Sequence, residues 1–156
     1  MQKPLTPKRL ENIALFYLER FDTSCGKLRQ VLKRRVQRQK IQGMPIDKEI
    51  NQWIEQVIQK MQELGYVNDK RYVQNTIRRL SESGKSTRFI QQKLSSEGIN
   101  SNLIDSLLSP EEELDRATIF ARKKHLGSNP QKDLAKLARA GFSYDIAKHV
   151  LDNMSD

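Results

Sequence analysis

Two short motifs resemble nucleotide-binding or catalytic signatures, and each lacks the residues that would complete it. Gly84-Lys85-Ser86-Thr87 has the form of the end of a P-loop, but Arg79 stands where that motif needs its first glycine. Ser24-Cys25-Gly26-Lys27 fits the Ser-x-x-Lys motif of penicillin-recognising enzymes, yet Ser-Asp-Asn and Lys-Thr-Gly do not follow it. We interpret both segments as helix boundaries.

The residues most able to act as nucleophiles or metal ligands are few and scattered. Cys25 is the single cysteine, so an internal disulfide is excluded, and its basic neighbours could lower its pKa. No spacing links it to His125 or His149, and we expect an inert thiol and two exposed histidines. The acidic residues fall at helix starts and on solvent-facing positions rather than in a cluster. We therefore predict no catalytic site, no metal and no cofactor.

The positive charge is concentrated in one segment. The formal net charge is +9, and residues 27–40 contain seven cations and no acid. Such a segment creates a local positive field that suits nucleic acid or an acidic protein surface better than anionic lipid. We predict a binding face rather than a merely solvated one, made of Lys27, Arg29, Lys33, Arg34, Arg35, Arg38 and Lys40. A second, weaker group is Arg78, Arg79, Lys85, Arg88 and Lys93.

Helices must position these side chains, because glycine and proline are few and apolar residues recur at helical spacing. Apolar residues at 10, 13, 14, 17, 18 and 21 predict a first helix, with Thr6 as its N-cap and Pro7 at its first position. Ser24 caps the basic second helix, and residues 37–45 are predicted to be a loop or frayed end. The third helix runs from Ile50 to Leu64 and is the clearest amphipathic helix.

Capping residues predict six more helices in the rest of the chain. Asp69 and Ser86 are expected to cap the fourth and fifth helices, which stop at Gly84 and Gly98, and a short sixth follows. Ser109-Pro110-Glu111-Glu112 predicts a capping box for the seventh. Residues 129–130 and 143 begin the last two.

The last two thirds of the chain share one pattern. At a spacing of 43 residues, Gly98-Ile99 aligns with Gly141-Phe142 and Leu103 aligns with Ile146. The inferred fold is all-α, with three tandem three-helix modules at 1–65, 66–108 and 109–156. Modules this small must pack on one another, which predicts an elongated, curved helical-repeat architecture.

The order of these signals resembles the RecX family of recombinase regulators, whose members contain three tandem three-helix modules. The central module is the most specific part: the segment 65–73, Gly84-Lys85, and Gly98-Ile99. Residues 14–18 and 140–144 are similar to the first and third modules. The resemblance implies a protein that binds the RecA recombinase filament on single-stranded DNA. It also implies inhibition of strand exchange, ATPase and co-protease activities.

Two other classes of function compete with this one. A helix-turn-helix protein would place one basic helix in the major groove of duplex DNA, and the Arg and Gln residues of the second helix allow this. An enzyme such as a nuclease is the least favoured. We expect non-sequence-specific contact with single-stranded DNA phosphates and a monomer. We also expect no membrane association and a cytoplasmic location, because the longest N-terminal apolar stretch, Ile13 to Leu18, is six residues.

Overall fold

The computed structural model describes residues 3–154, and these form helices without any strand. The all-α prediction is confirmed. The α-helices are α1 Pro7–Leu18, α2 Cys25–Ile41, α3 Ile50–Glu63, α4 Asp69–Glu82, α5 Thr87–Ser96, α6 Ser101–Leu107, α7 Glu113–Lys123, α8 Pro130–Arg139 and α9 Tyr144–Met154. The chain divides into two compact units, Met1–Tyr72 and Val73–Asp156. The three-module division of the sequence stays a prediction.

The N-terminal unit packs α1, α2 and α3 against one another. Its core includes Leu10, Leu28, Leu32, Ile54 and Met61, all fully buried. Burying side chains of this size contributes roughly 1.5–3 kcal/mol each relative to leaving them exposed. The hydroxyls of Thr6 and Ser24 accept hydrogen bonds from the backbone N–H groups of residues 9 and 27, which confirms both predicted N-caps.

The basic helix is longer than the sequence predicts. Residues 37–41 continue α2 instead of forming a loop, and Gln39 is buried among charged neighbours. Its Nε2 donates a 3.0 Å hydrogen bond to the carbonyl of Lys3, which joins the end of α2 to the N-terminal segment. The prediction was wrong because Gln39 is polar, so apolar spacing gave no sign that this position faces inward.

In the C-terminal unit, α7, α8 and α9 pack together and α5 packs on α6. The predicted glycine ends are confirmed, since Gly98 and Gly141 have φ values of +82° and +99°. Ile99 and Phe142, which follow them, are buried. Their backbone N–H groups donate to the carbonyls of residues 94 and 137 at 3.2 and 3.1 Å, closing the last turns of α5 and α8.

The start of α7 differs from the predicted capping box. Residues 110–112 form a 3₁₀ turn, α7 begins at Glu113, and the Ser109 side chain makes no capping hydrogen bond. Arg116 organises this region instead, with its side chain only 1% exposed. Its guanidinium donates to the hydroxyls of Ser81 and Thr87 and to the carbonyl of Ser109 at 3.0–3.2 Å. A buried arginine satisfied in this way has a structural role.

Candidate functional site

Four of the seven cations of the basic segment lie on two faces of α2, one toward α3 and one beside α1. Arg29 lies on the face toward α3, where its Nε and Nη2 donate to the two carboxylate oxygens of Glu55 at 2.6 and 3.0 Å. These hydrogen bonds hold the pKa of the Glu55 carboxyl below its ordinary value, and the charge of Lys33 adds to the lowering. The basic segment contains no acid of its own, but Glu55 of α3 supplies one for Arg29. The charge of Arg29 is therefore balanced by an ion pair inside the protein.

The other face contains three arginines beside α1. Val31, Arg34, Arg35 and Arg38 follow the i, i+3, i+4, i+7 spacing that places side chains along one stripe of a helix. Together with Ile13 and Tyr17 of α1, they line a groove of about 270 Å³. Among residues 3–154, no acidic side chain forms an ion pair with any of the three arginines. We call this site the α1–α2 groove.

Lys27, Lys33 and Lys40 lie outside the lining of the α1–α2 groove. Lys33 and Lys40 are exposed, whereas Lys27 is half-buried near the start of α2. The sequence grouped these lysines with the arginines because they share one segment. Packing against α1 and α3 separates them.

An exposed aromatic side chain, Phe21, contacts Tyr17 of the α1–α2 groove. The rings of Tyr17 and Phe21 have centroids 4.8 Å apart, and Phe21 is 54% exposed. The expectation that Phe21 continues the buried stripe of α1 is wrong, because the helix ends at Leu18 and helical spacing no longer applies. Phe16 is also exposed, with the Arg20 guanidinium 4.1 Å from its ring centre.

The second basic group is brought together only in part. Arg88 lines a groove of about 240 Å³ with Phe89, Gln92 and Arg139, and Lys85 Nζ lies 4.8 Å from the centre of the Phe89 ring. The sequence reasoning missed Arg139, which comes from α8. Of the remaining members, Lys93 pairs with Glu97 at 3.5 Å, Arg78 lines a different groove with Glu82 and Glu112, and Arg79 is exposed.

Cys25 is buried at the start of α2. Its surroundings raise the pKa of the thiol, whereas its basic neighbours in the sequence suggested a lowered pKa. Burial raises the pKa of the thiol, the Asp69 carboxylate adds to this by repulsion and hydrogen bonding, and together they bring it to about 11. Asp69 accepts a 2.7 Å hydrogen bond from the Cys25 backbone N–H. The capping of α4 predicted for Asp69 falls to Asn68, whose side chain accepts from the Arg71 N–H at 3.1 Å.

We expect the Cys25 thiol to react with DTNB about 100-fold more slowly in the native protein than in the urea-unfolded chain at about pH 8. The reason is that its raised pKa leaves about one hundredth of the usual thiolate. A matched variant, Cys25→Ser with Ser128→Cys, places the thiol in an exposed loop and should react at the unfolded rate. Equal rates for native Cys25 and this control would contradict the structure.

Between residues 3 and 154, no three His, Cys, Asp or Glu side chains are grouped so that they could hold a metal ion. His125 and His149 are both exposed, as expected, and His125 has a φ of +54° just after α7. In the same part of the chain, no helix has the length and apolar character needed to span a membrane.

These features define a small helical protein whose notable surfaces are basic grooves. Regulatory protein RecX of Myxococcus xanthus is 39% identical over 97% of this chain and 88% of its own length. A protein of the same name from Streptococcus agalactiae serotype III is 31% identical over 94% of this chain and 60% of its own. No protein-family profile matches the chain. The chain belongs to the RecX family of regulatory proteins.

Solved structures of the family have the same fold. The crystal structure of RecX from Lactobacillus salivarius superposes with a TM-score of 0.69 and 22% identity, covering 95% of this chain and 96% of that one. A second crystal structure of regulatory protein RecX gives a TM-score of 0.67 over 94% of this chain and 71% of that one. The likeness confirms the helical fold expected from the resemblance.

Proposed function

We propose that this chain is a non-enzymatic regulator that binds the RecA recombinase filament on single-stranded DNA. Binding inhibits the recombinase, ATPase and co-protease activities of the filament. The protein acts as a monomer in the cytoplasm. Family membership supports the regulatory role, and the α1–α2 groove is the observation that supports macromolecular binding.

Three arginines without acidic partners repel one another in the free protein. A partner that brings negative charge relieves this repulsion and gains charge-assisted hydrogen bonds. The groove of Arg88 and Arg139 gives the other unit a basic surface of its own. Two weak contacts made by one chain act at high effective concentration, which favours an assembled filament over a recombinase monomer or bare DNA.

A helix-turn-helix reader of duplex DNA fits the arrangement less well. A recognition helix must expose its base-contacting side chains as a ridge that enters the major groove. The arginine stripe of α2 instead borders α1 and forms one wall of a depression. This rival predicts a strong preference for one duplex sequence over bulk DNA.

The test is co-sedimentation with preformed recombinase filaments, followed by titration into a single-stranded-DNA-dependent ATPase assay. We expect tighter binding to filaments than to bare single-stranded DNA or recombinase monomer, together with lower ATP turnover. Inhibition far below one protein per recombinase protomer would indicate capping of filament ends, and inhibition only near saturation would indicate binding along the filament. Unchanged turnover and filament length at saturation would refute the proposal, and a preference for one duplex sequence would favour the rival.

A further inference from the structure

The α1–α2 groove combines an apolar floor with a charged rim. Ile13 and Tyr17 lie four residues apart on α1 and face Val31 of α2, and all three are half-buried. The guanidinium groups of Arg34, Arg35 and Arg38 belong to the same stripe as Val31. The charge on this helix is neutralised where it packs on α3, through Arg29 and Glu55, but not where it borders the groove.

This lining fits a peptide better than a nucleic acid. Single strands bind where bases stack on open aromatic faces, but two of the three floor residues are aliphatic. The third, Tyr17, is already in contact with Phe21, whose ring is tilted by 34° against it. By contrast, an apolar depression between two helices is the usual receptor for one side chain of an amphipathic segment, and arginines are common anchors for carboxylates at such interfaces.

We propose that the α1–α2 groove binds an acidic segment of a partner protein, and that the segment contains an apolar anchor residue. The anchor enters the groove between Ile13, Tyr17 and Val31. Carboxylates on either side of it accept hydrogen bonds from Arg34, Arg35 and Arg38, in the bidentate geometry that guanidinium and carboxylate share. The identity of the partner as the recombinase rests on the proposed function, whereas the preference of the groove for an anchored acidic segment does not.

The test uses the full chain and labelled synthetic peptides of about twelve residues, enough for three helical turns. One peptide is rich in Asp and Glu with a central Leu, and the other has that Leu replaced by Ser. Fluorescence anisotropy should show the Leu peptide binding about tenfold more tightly, because its anchor leaves water. Val31→Ser should remove most of this advantage by making the floor polar.

Two glutamine variants of the same helix separate specific pairing from general charge. Arg38→Gln should weaken Leu-peptide binding about tenfold, since Arg38 lines the groove. Lys40→Gln removes the same charge two residues away, outside the groove, and should weaken it less than about threefold. Circular dichroism and urea unfolding identify any variant whose fold has changed.

Three results would overturn the inference. If the two peptides bind with equal affinity, or if Val31→Ser binds the Leu peptide as tightly as the parent protein does, the binding is charge attraction alone and the apolar anchor has no role. Failure of the Leu peptide to bind, with tight binding of a thymidine oligonucleotide of about twenty nucleotides that Arg38→Gln weakens, would make the groove a nucleic-acid site. Filament binding is measured separately. If the protein binds filaments but not the Leu peptide, the proposed function stands and this inference fails. If it binds the Leu peptide but not filaments, the groove still binds an acidic segment, but the recombinase is not the partner.

Discussion

Replacing Arg34, Arg35 and Arg38 together with glutamate is expected to weaken binding to the recombinase filament by about 100-fold or more. The three guanidinium groups line one groove and form no ion pair among residues 3–154. Reversal therefore removes three attractions to the partner and adds three repulsions. The fold should persist, because Arg34 and Arg38 are exposed, Arg35 is half-buried, and the core face of α2 is formed by Leu28 and Leu32.

The matched control reverses three exposed lysines outside both basic groups, Lys48, Lys132 and Lys148. Each triple variant undergoes the same change in net charge, so a difference between them reports position. The filament affinity of the control should fall less than about tenfold. Both variants should bind bare single-stranded DNA with similarly low affinity, because that attraction depends on the general charge of the protein. Equal losses on filaments would show that the α1–α2 groove is not a specific contact.

Local chemistry determined most of the helix boundaries. Thr6, Ser24 and Ser86 each cap the helix predicted for them, because the side-chain oxygen accepts a hydrogen bond from the N–H three residues ahead. Such signals depend on a few neighbouring residues and are readable from sequence. The error at Asp69 occurs where a distant partner competes for its carboxylate, whereas the error at Ser109 occurs where the next residues form a 3₁₀ turn. Asp69 accepts from a residue 44 positions away, and the carbonyl of Ser109 accepts from buried Arg116.

The candidate site shows the same division between local and distant information. The stripe of Val31, Arg34, Arg35 and Arg38 is present in the sequence as helical spacing, and attention to that spacing would have separated it from Lys33 and Lys40. The floor could not be predicted, because Ile13 and Tyr17 become neighbours of the stripe only when α1 packs on α2. Likewise, the pairing of Arg29 with Glu55 spans 26 residues and depends on how α2 meets α3.

The turn between α4 and α5 is a place where one added methyl group should cost considerable stability. Gly84 has a φ of +82°, and a Cβ there would lie 2.8 Å from the backbone nitrogen of Phe120 and 3.0 Å from its Cα. The turn thus rests directly on the backbone of α7, which cannot rotate aside as a flexible side chain would. Glu113 holds the same junction by accepting hydrogen bonds from the Thr87 N–H at 3.0 and 3.2 Å.

Gly84→Ala is accordingly expected to lower the free energy of unfolding by roughly 2–5 kcal/mol. The left-handed backbone accounts for roughly 1–2 kcal/mol, and the forced displacement of the turn from α7 adds roughly 1–3 kcal/mol. Gly98→Ala is the matched control, since Gly98 has the same φ of +82° but no atom within 4 Å of its Cβ position. It should lose only the backbone part, roughly 1–2 kcal/mol. Urea unfolding curves of the two variants measure the difference directly, and equal losses would show that α7 yields to the added methyl group without cost.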